Sequence, residues 1–452
     1  MIGFARSRAP GRSLPAALVL LLLAGALAVL STPAPAHGGP APERPHPVIF
    51  VHGQQGSAQQ WQSQAKRFSS NGYRDSLLYA YEYDSSIPTN THALDGLETF
   101  IDEVRRATGS SQVDVVAHSR GTRVLHEYLA VPERAAEVRR YVNADGQSAA
   151  AQPGGVPTLA LWGSLQPNGS IGGAVNVHLT HLGHTETTVA AESFAHIHRF
   201  LRGTEPVTTD VVPEPPGRVR IEGRVQFFPQ NTGLAGRLEV WRVDPATGAR
   251  QGKRPRHRVE VGPDGSFGPL AVHGRHHYEL AFVREGERVS HFYTEPFERD
   301  DRFVRLLVSP AGGVADLVDA CPGHTALTIS RQREWWSGTG TDDSLRINGR
   351  EVLSPVIAPQ ARQVIAVFAF DKGCDGQSSP DTVVPPFHLL PFLTAVDLHL
   401  PATEEAGGTH TVSQAMRGTG TDRTLAVRDW PSDRHTVSVL FKDYADTAFG
   451  RR

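Results

Sequence analysis

The chain has 452 residues and a formal net charge of −2, with 45 basic side chains against 47 acidic ones. That length exceeds one typical domain, and the apolar content is ample for two or three cores. A balance so close to neutral gives no basic field for nucleic acid or anionic membranes, so neither is expected as a partner.

The chain opens with Arg6, Arg8 and Arg12, an apolar run over residues 14–30, and the small-residue site Ala34-Pro35-Ala36 ahead of His37. A basic start, an apolar middle and an A-x-A exit make residues 1–36 a secretory signal peptide, so the mature protein is expected to be soluble and extracellular. No later stretch reaches the roughly 20 apolar residues that span a bilayer.

From Pro47 strand and helix patterns alternate. Residues 48–51 read as a buried strand, 59–70 as a helix, 77–81 as a strand and 94–108 as a helix whose Leu94, Leu97, Ile101 and Val104 share one face. A β-branched run from Val113 follows, then strands over 140–144, 158–162 and 175–179, and a closing helix over 188–201. This alternation predicts an α/β domain over residues 37–203, with a mostly parallel sheet covered on both faces. Residues 204–217, with four prolines and no periodicity, read as a semi-rigid linker.

Beyond the linker helix patterns vanish. Alternating runs such as Tyr278, Leu280 and Phe282, separated by turn sequences, predict an all-β region built as sandwich or barrel modules over 218–310 and 311–452. The second module holds an echo, with Gly338-Thr339-Gly340-Thr341-Asp342 returning as Gly418-Thr419-Gly420-Thr421-Asp422, read as two β-turns. Cys321 and Cys374 are the only cysteines, and an even count in a secreted chain predicts a disulfide. Two cysteines without a histidine pair at finger spacing make no structural zinc site.

Val113 to Val124 joins a strand pattern to a helix pattern through a sharp turn that carries Ser119, with small residues Ala117 and Gly121 two places either side. Such an elbow lifts a serine oxygen clear of the sheet edge, which makes Ser119 the candidate nucleophile. Serine needs an imidazole to take its proton and a carboxylate to hold that imidazole. His184 lies between the last strand and the closing helix, where this architecture places its base; His181, His196 and His198 are the competitors. The loop after residue 162 has no carboxylate, but strand 140–144 ends in Asp145-Gly146 at the sheet edge that bears Ser119. Asp145 is therefore the candidate acid, although Asp-Gly is also a common turn pair, and Glu186 is the alternative. The negative charge that builds on a carbonyl oxygen needs two backbone N–H groups, expected from Arg120 and from Gln54 in the loop His52-Gly53-Gln54-Gln55-Gly56. His52 is expected to brace that loop.

In His52-Gly53, Ala117-His118-Ser119-Arg120-Gly121 and Gly183-His184, the first domain resembles the secreted α/β-hydrolase lipases. Alanine at the first elbow position is similar to small bacterial lipases, whereas the early acid and the long β extension resemble archaeal-type lipases with a C-terminal β domain. The resemblance implies hydrolysis of carboxylic esters, most of all acylglycerols at a lipid interface, without a metal or other cofactor. A short-chain carboxylesterase or polyester depolymerase is the near alternative, and a non-catalytic surface-binding protein with β modules is the alternative of another class. Every candidate catalytic group precedes the linker, so cutting after Gly203 is expected to spare short esters and to lower long-chain activity. Residues 386–393 and Trp335-Trp336 are candidate lipid contacts, with buried core as the favoured reading.

Overall fold

Side chains alternate between the faces of a strand, so a four-residue run with no polar member must be covered on both sides. Val48–Val51 (β1) is such a run: Val48 and Phe50 share a core with Phe68 and Phe194, and Ile49 and Val51 share another with Leu97 and Leu125. The computed structural model describes residues 45–338, 342–419 and 422–445. The signal-peptide reading and the middles of both echo turns lie outside the described residues.

Around β1 lie β2 (Leu78–Tyr81), β3 (Val113–His118), β4 (Val138–Ala144), β5 (Thr158–Trp162) and β6 (Val175–His178). All pair in parallel, in the spatial order β2-β1-β3-β4-β5-β6. The helices are α1 (Gln62–Ser70), α2 (Thr91–Thr108), α3 (Arg120–Leu129), the single turn α4 (Pro132–Ala135) and α5 (Ala191–Arg202). Phe68 of α1 with Phe194, Ile197 and Leu201 of α5 covers one face, and Leu97, Ile101 and Val104 of α2 with Leu125 of α3 covers the other. This is the mostly parallel sheet, covered on both faces, that the alternation predicts, and it fits the α/β-hydrolase core that the resemblance implies.

The Pro-rich segment is irregular, yet it is pinned rather than free. Thr209 O accepts Arg67 Nε at 2.8 Å, Asn71 exchanges two hydrogen bonds with Thr208, and Val212 N donates to Ser70 Oγ at 2.9 Å. Its polar backbone therefore finds partners along α1, which a count of prolines does not reveal.

The chain continues as β7 (Arg220–Phe227), β8 (Gly236–Val243), β9 (His257–Val261), β10 (Ser266–Ala271), β11 (His277–Val283), β12 (Val289–Thr294) and β13 (Asp301–Val308). Then follow β14 (Leu327–Trp335), β15 (Ser344–Ile347), β16 (Arg350–Glu351), β17 (Val364–Phe370), β18 (Leu393–Asp397), β19 (Thr409–Ala415), β20 (Asp422–Arg428) and β21 (His435–Leu440). One eight-stranded sheet, β18-β17-β14-β21-β12-β11-β8-β9, takes four strands from each side of residue 310. Its seam is β21, paired in parallel with both β12 and β14.

The Cys321–Cys374 disulfide is present, across 53 residues with 6.4 Å between Cα atoms. Gly338 and Gly418, the first residues of the two echoes, both adopt left-handed φ, and β15 pairs with β19 with Ser344 opposite Ala415. Trp335 and Trp336 are buried, so the core reading holds for them; in the 386–393 run Phe387 is buried while Leu389 is 73 % exposed. Among the described residues no helix is long and apolar enough to cross a membrane.

Candidate active site

β3 ends at His118 and α3 begins at Arg120, which leaves one residue for the reversal. Ser119 takes φ +51° and ψ −122°, a region that non-glycine residues enter only when their surroundings impose it. The imposition is visible: Ser119 N donates to Ala144 O at 3.1 Å, and Ser119 O accepts from Thr122 N at 3.0 Å and Thr122 Oγ1 at 2.7 Å. Gly121 must be glycine, since a Cβ there would stand 2.5 Å from His52 O.

Asp145, one residue past β4, is 1 % exposed. Its Oδ2 lies 2.7 Å from His184 Nδ1, and its Oδ1 accepts Gly163 N at 2.7 Å. The loop after β5, which lacks a carboxylate of its own, thus supplies an N–H that orients one. With Nδ1 committed to Asp145, the remaining nitrogen of His184, Nε2, is the one free to exchange a proton. His184 O accepts Thr187 Oγ1 at 2.7 Å and lies 3.0 Å from His118 Nε2. Burial, then the neighbouring His184, holds His118 well below the ordinary histidine range, so it stays neutral and donates Nε2–H.

The alternative acid and two of the three competing histidines have partners of their own. Glu186 accepts Gly183 N at 3.1 Å, lies 2.7 Å from Arg333 Nε and pairs with Arg417. His181 is exposed beside Glu192, His198 Nδ1 lies 3.0 Å from Thr204 O, and His196 is half-buried on α5.

Arg120 is the first residue of α3, so its N–H has no acceptor within the helix and sits at the positive end of the helix dipole. Its buried guanidinium does work that the sequence did not disclose. Nη1 donates to Gln54 Oε1 and Ser85 O at 2.8 Å each, Nη2 to Ile87 O at 2.6 Å and Thr89 O at 2.8 Å, and Nε to Asn90 Oδ1 at 3.2 Å. Gln54 Nε2 also donates to Ser85 O at 2.6 Å, so both candidate oxyanion residues hang on one bonded frame. His52 braces the same loop: Nδ1–H donates to Gly53 O at 2.8 Å, while Nε2 accepts Tyr83 N at 3.1 Å. Burial lowers its pKa, which keeps that neutral tautomer in place.

Several supporting residues come from beyond the Pro-rich segment. Asn231, buried and at φ +56°, places Nδ2 2.9 Å from Gly56 O, 3.0 Å from Tyr83 O and 3.2 Å from His52 Nε2. Glu82, just after β2, accepts Ala58 N at 2.8 Å and pairs with Arg305 of β13 at 2.8 Å. No local pattern could have found these, since the partners are separated by 179 and 223 residues.

A cavity of about 210 Å³ is lined by neighbours of these residues, though by none of Ser119, His184, Asp145, Gln54 or Arg120. Gln55 and Gly56 line it beside the oxyanion loop, Phe392 lines it beside His184 with the two rings 6.3 Å apart, and Val308, Ile365 and Phe368 give it an apolar wall in the β region.

A family model described as Lipase (class 2) matches residues 45–131, one described as Lipase C-terminal domain matches 217–311, and a further C-terminal domain model matches 313–445. Among solved structures, a Bacillus licheniformis lipase, BlEst2 in propeptide form, is 12 % identical with a TM-score of 0.28, over 86 % of this chain and 94 % of that one. Aspergillus fumigatus lipase B is 15 % identical with a TM-score of 0.28, over 36 % of this chain and 54 % of that one. The enzyme class is that of carboxylic ester hydrolases on an α/β-hydrolase sheet. Within that class residues 45–131 and 217–311 match lipase family models, and an ester hydrolase sets aside a non-catalytic surface-binding protein.

Proposed function

We propose that this protein is a secreted triacylglycerol lipase in which Ser119, His184 and Asp145 act as nucleophile, base and acid. Ser119 Oγ adds to the ester carbonyl while His184 Nε2 takes its proton, and the oxyanion is met by the N–H groups of Gln54 and Arg120. Collapse expels the alcohol, which receives the proton from His184; water then hydrolyses the acyl-serine by the same steps in reverse. Asp145 keeps the proton on Nδ1 and stabilises the imidazolium that forms. The domain boundaries of this reading are a removed leader over 1–36, a catalytic domain over 37–203, a connecting segment over 204–217 and β modules over 218–310 and 311–452. The leader pattern and the disulfide support an extracellular protein.

The observation that supports the preference for long acyl chains is the cavity lined by Gln55, Gly56 and Phe392, with Val308, Ile365 and Phe368 as an apolar wall. Each methylene withdrawn from water there contributes about 0.8 kcal/mol, so a chain that fills it gains with every carbon. The test is a series of p-nitrophenyl esters from acetate to palmitate. A kcat/KM that rises with chain length supports a lipase; one that peaks at butyrate or below assigns a short-chain carboxylesterase instead. Activity confined to polymeric substrates would assign a polyester depolymerase.

A further inference from the structure

The loop that carries His184 rests on a side chain from far along the sequence. Glu334, on β14, is fully buried, and its two carboxylate oxygens accept the two backbone N–H groups that follow the histidine: Thr185 N to Oε1 at 2.5 Å and Glu186 N to Oε2 at 3.0 Å. Gly183 precedes the histidine, and a Cβ there would stand 2.2 Å from Glu334 Oε2. The residues on both sides of His184 are therefore seated on one carboxylate.

The residue that bears that carboxylate is held through its backbone carbonyl. Arg331 Nη2 and Arg417 Nη1 both donate to Glu334 O, and both guanidiniums pair with the buried Asp343, at 2.6 and 2.7 Å. Arg417 also pairs with Glu186, which closes the ring back onto the histidine loop. Asp343 and Arg417 flank the two echo turns, so the repeat is where this frame is anchored. Asp343 and Glu186 share the cluster with three guanidiniums, those of Arg331, Arg417 and Arg333, so these two carboxylates are paired.

We infer that Glu334 is a positioning residue for ester hydrolysis, fixing the His184 loop from the β region so that the imidazole stands in register with Ser119 and Asp145. The inference rests on His184 being the base. It does not need Glu334 to touch substrate: an ångström of drift in the base suffices to cost about 100-fold in rate.

The test uses the full-length chain and p-nitrophenyl acetate, an ester too short to depend on the cavity. Glu334→Gln replaces one acceptor oxygen by an amide that meets a backbone N–H head-on, and kcat is expected to fall about 100-fold with KM within about twofold of wild type. Labelling by a fluorophosphonate, which also needs the base, should slow by the same factor. A folded Glu334→Gln whose kcat stays within about threefold of wild type overturns the inference. If that variant does not fold, Gly183→Ala pushes the loop off the same carboxylate from the other side; it should lower kcat alike, and an unchanged kcat overturns the inference equally. His184→Ala separates the two readings. If it retains turnover, the base assignment is wrong; if it is inactive while Glu334→Gln is not, the base stands and the positioning role falls.

Discussion

Glu82 offers a stability measurement whose size and pH window follow from its surroundings. The residue is buried, and burial alone would push its carboxyl up. The Arg305 charge and hydrogen bonds, the Ala58 N–H and Arg224 outweigh burial and hold it at about 2 against an ordinary 4.5. Taken at about 1.4 kcal/mol per unit, the difference amounts to about 3 kcal/mol. A carboxyl depressed on folding stabilises fully above its unfolded pKa and loses that contribution as the pH falls from about 4.5 towards about 2. Glu82→Gln keeps the shape and removes the charge. Urea unfolding of the two proteins should therefore differ by about 3 kcal/mol at pH 7 and by roughly half of that at pH 3. A gap that does not change between those pH values would refute the reasoning, because the loss would then come from packing rather than from the charge.

Asp145→Asn, which disturbs both the His184 tautomer and the Gly163 bond, should lower kcat by about 10⁴ in a steady-state ester assay while leaving the circular dichroism spectrum unchanged. Cutting after Gly203 should abolish turnover of short as well as long esters, measured side by side with the intact enzyme; a truncated protein that hydrolyses p-nitrophenyl acetate at the intact rate would show that Asn231, Arg305 and Glu334 are dispensable. Cys321→Ser should lower stability by about 4 kcal/mol in the chain-entropy account of a loop of this length. Alkylation of the unreduced wild type under denaturing conditions should find no free thiol.

That expectation for the truncation reverses the one drawn from sequence, and the reversal marks what sequence conveys. β1, β5 and the elbow at Ser119 were legible because they are local: a run of apolar residues, a period, a serine between small neighbours. The Asp145–His184 contact was reachable by one further step, since topology brings successive strand ends to one edge. What stayed hidden are the single polar side chains that cross from one region to another. Asn231 in a turn and Glu334 in a strand look like ordinary residues, and nothing in their neighbours says that their partners lie 179 and about 150 residues earlier. Composition was silent at the prolines, because a segment without periodicity reads the same whether or not it lies hydrogen-bonded along α1.

The strand latest in sequence among those described, β21, is also an interior one, and it holds the two halves of the eight-stranded sheet together. Just beyond it, Asp443 accepts from Ser63 and the Tyr444 ring lies 5.9 Å from Lys66 Nζ, both on α1. The parallel sheet that carries Ser119 precedes all of the eight-stranded sheet in the chain, whereas β12 and β14 are joined to each other only through β21, which follows both. Glu334 lies on β14, so the support beneath His184 arrives with the same closure. On the proposed triad, Ser119 and His184 both precede in sequence the strand that joins the two halves of the frame beneath the His184 loop.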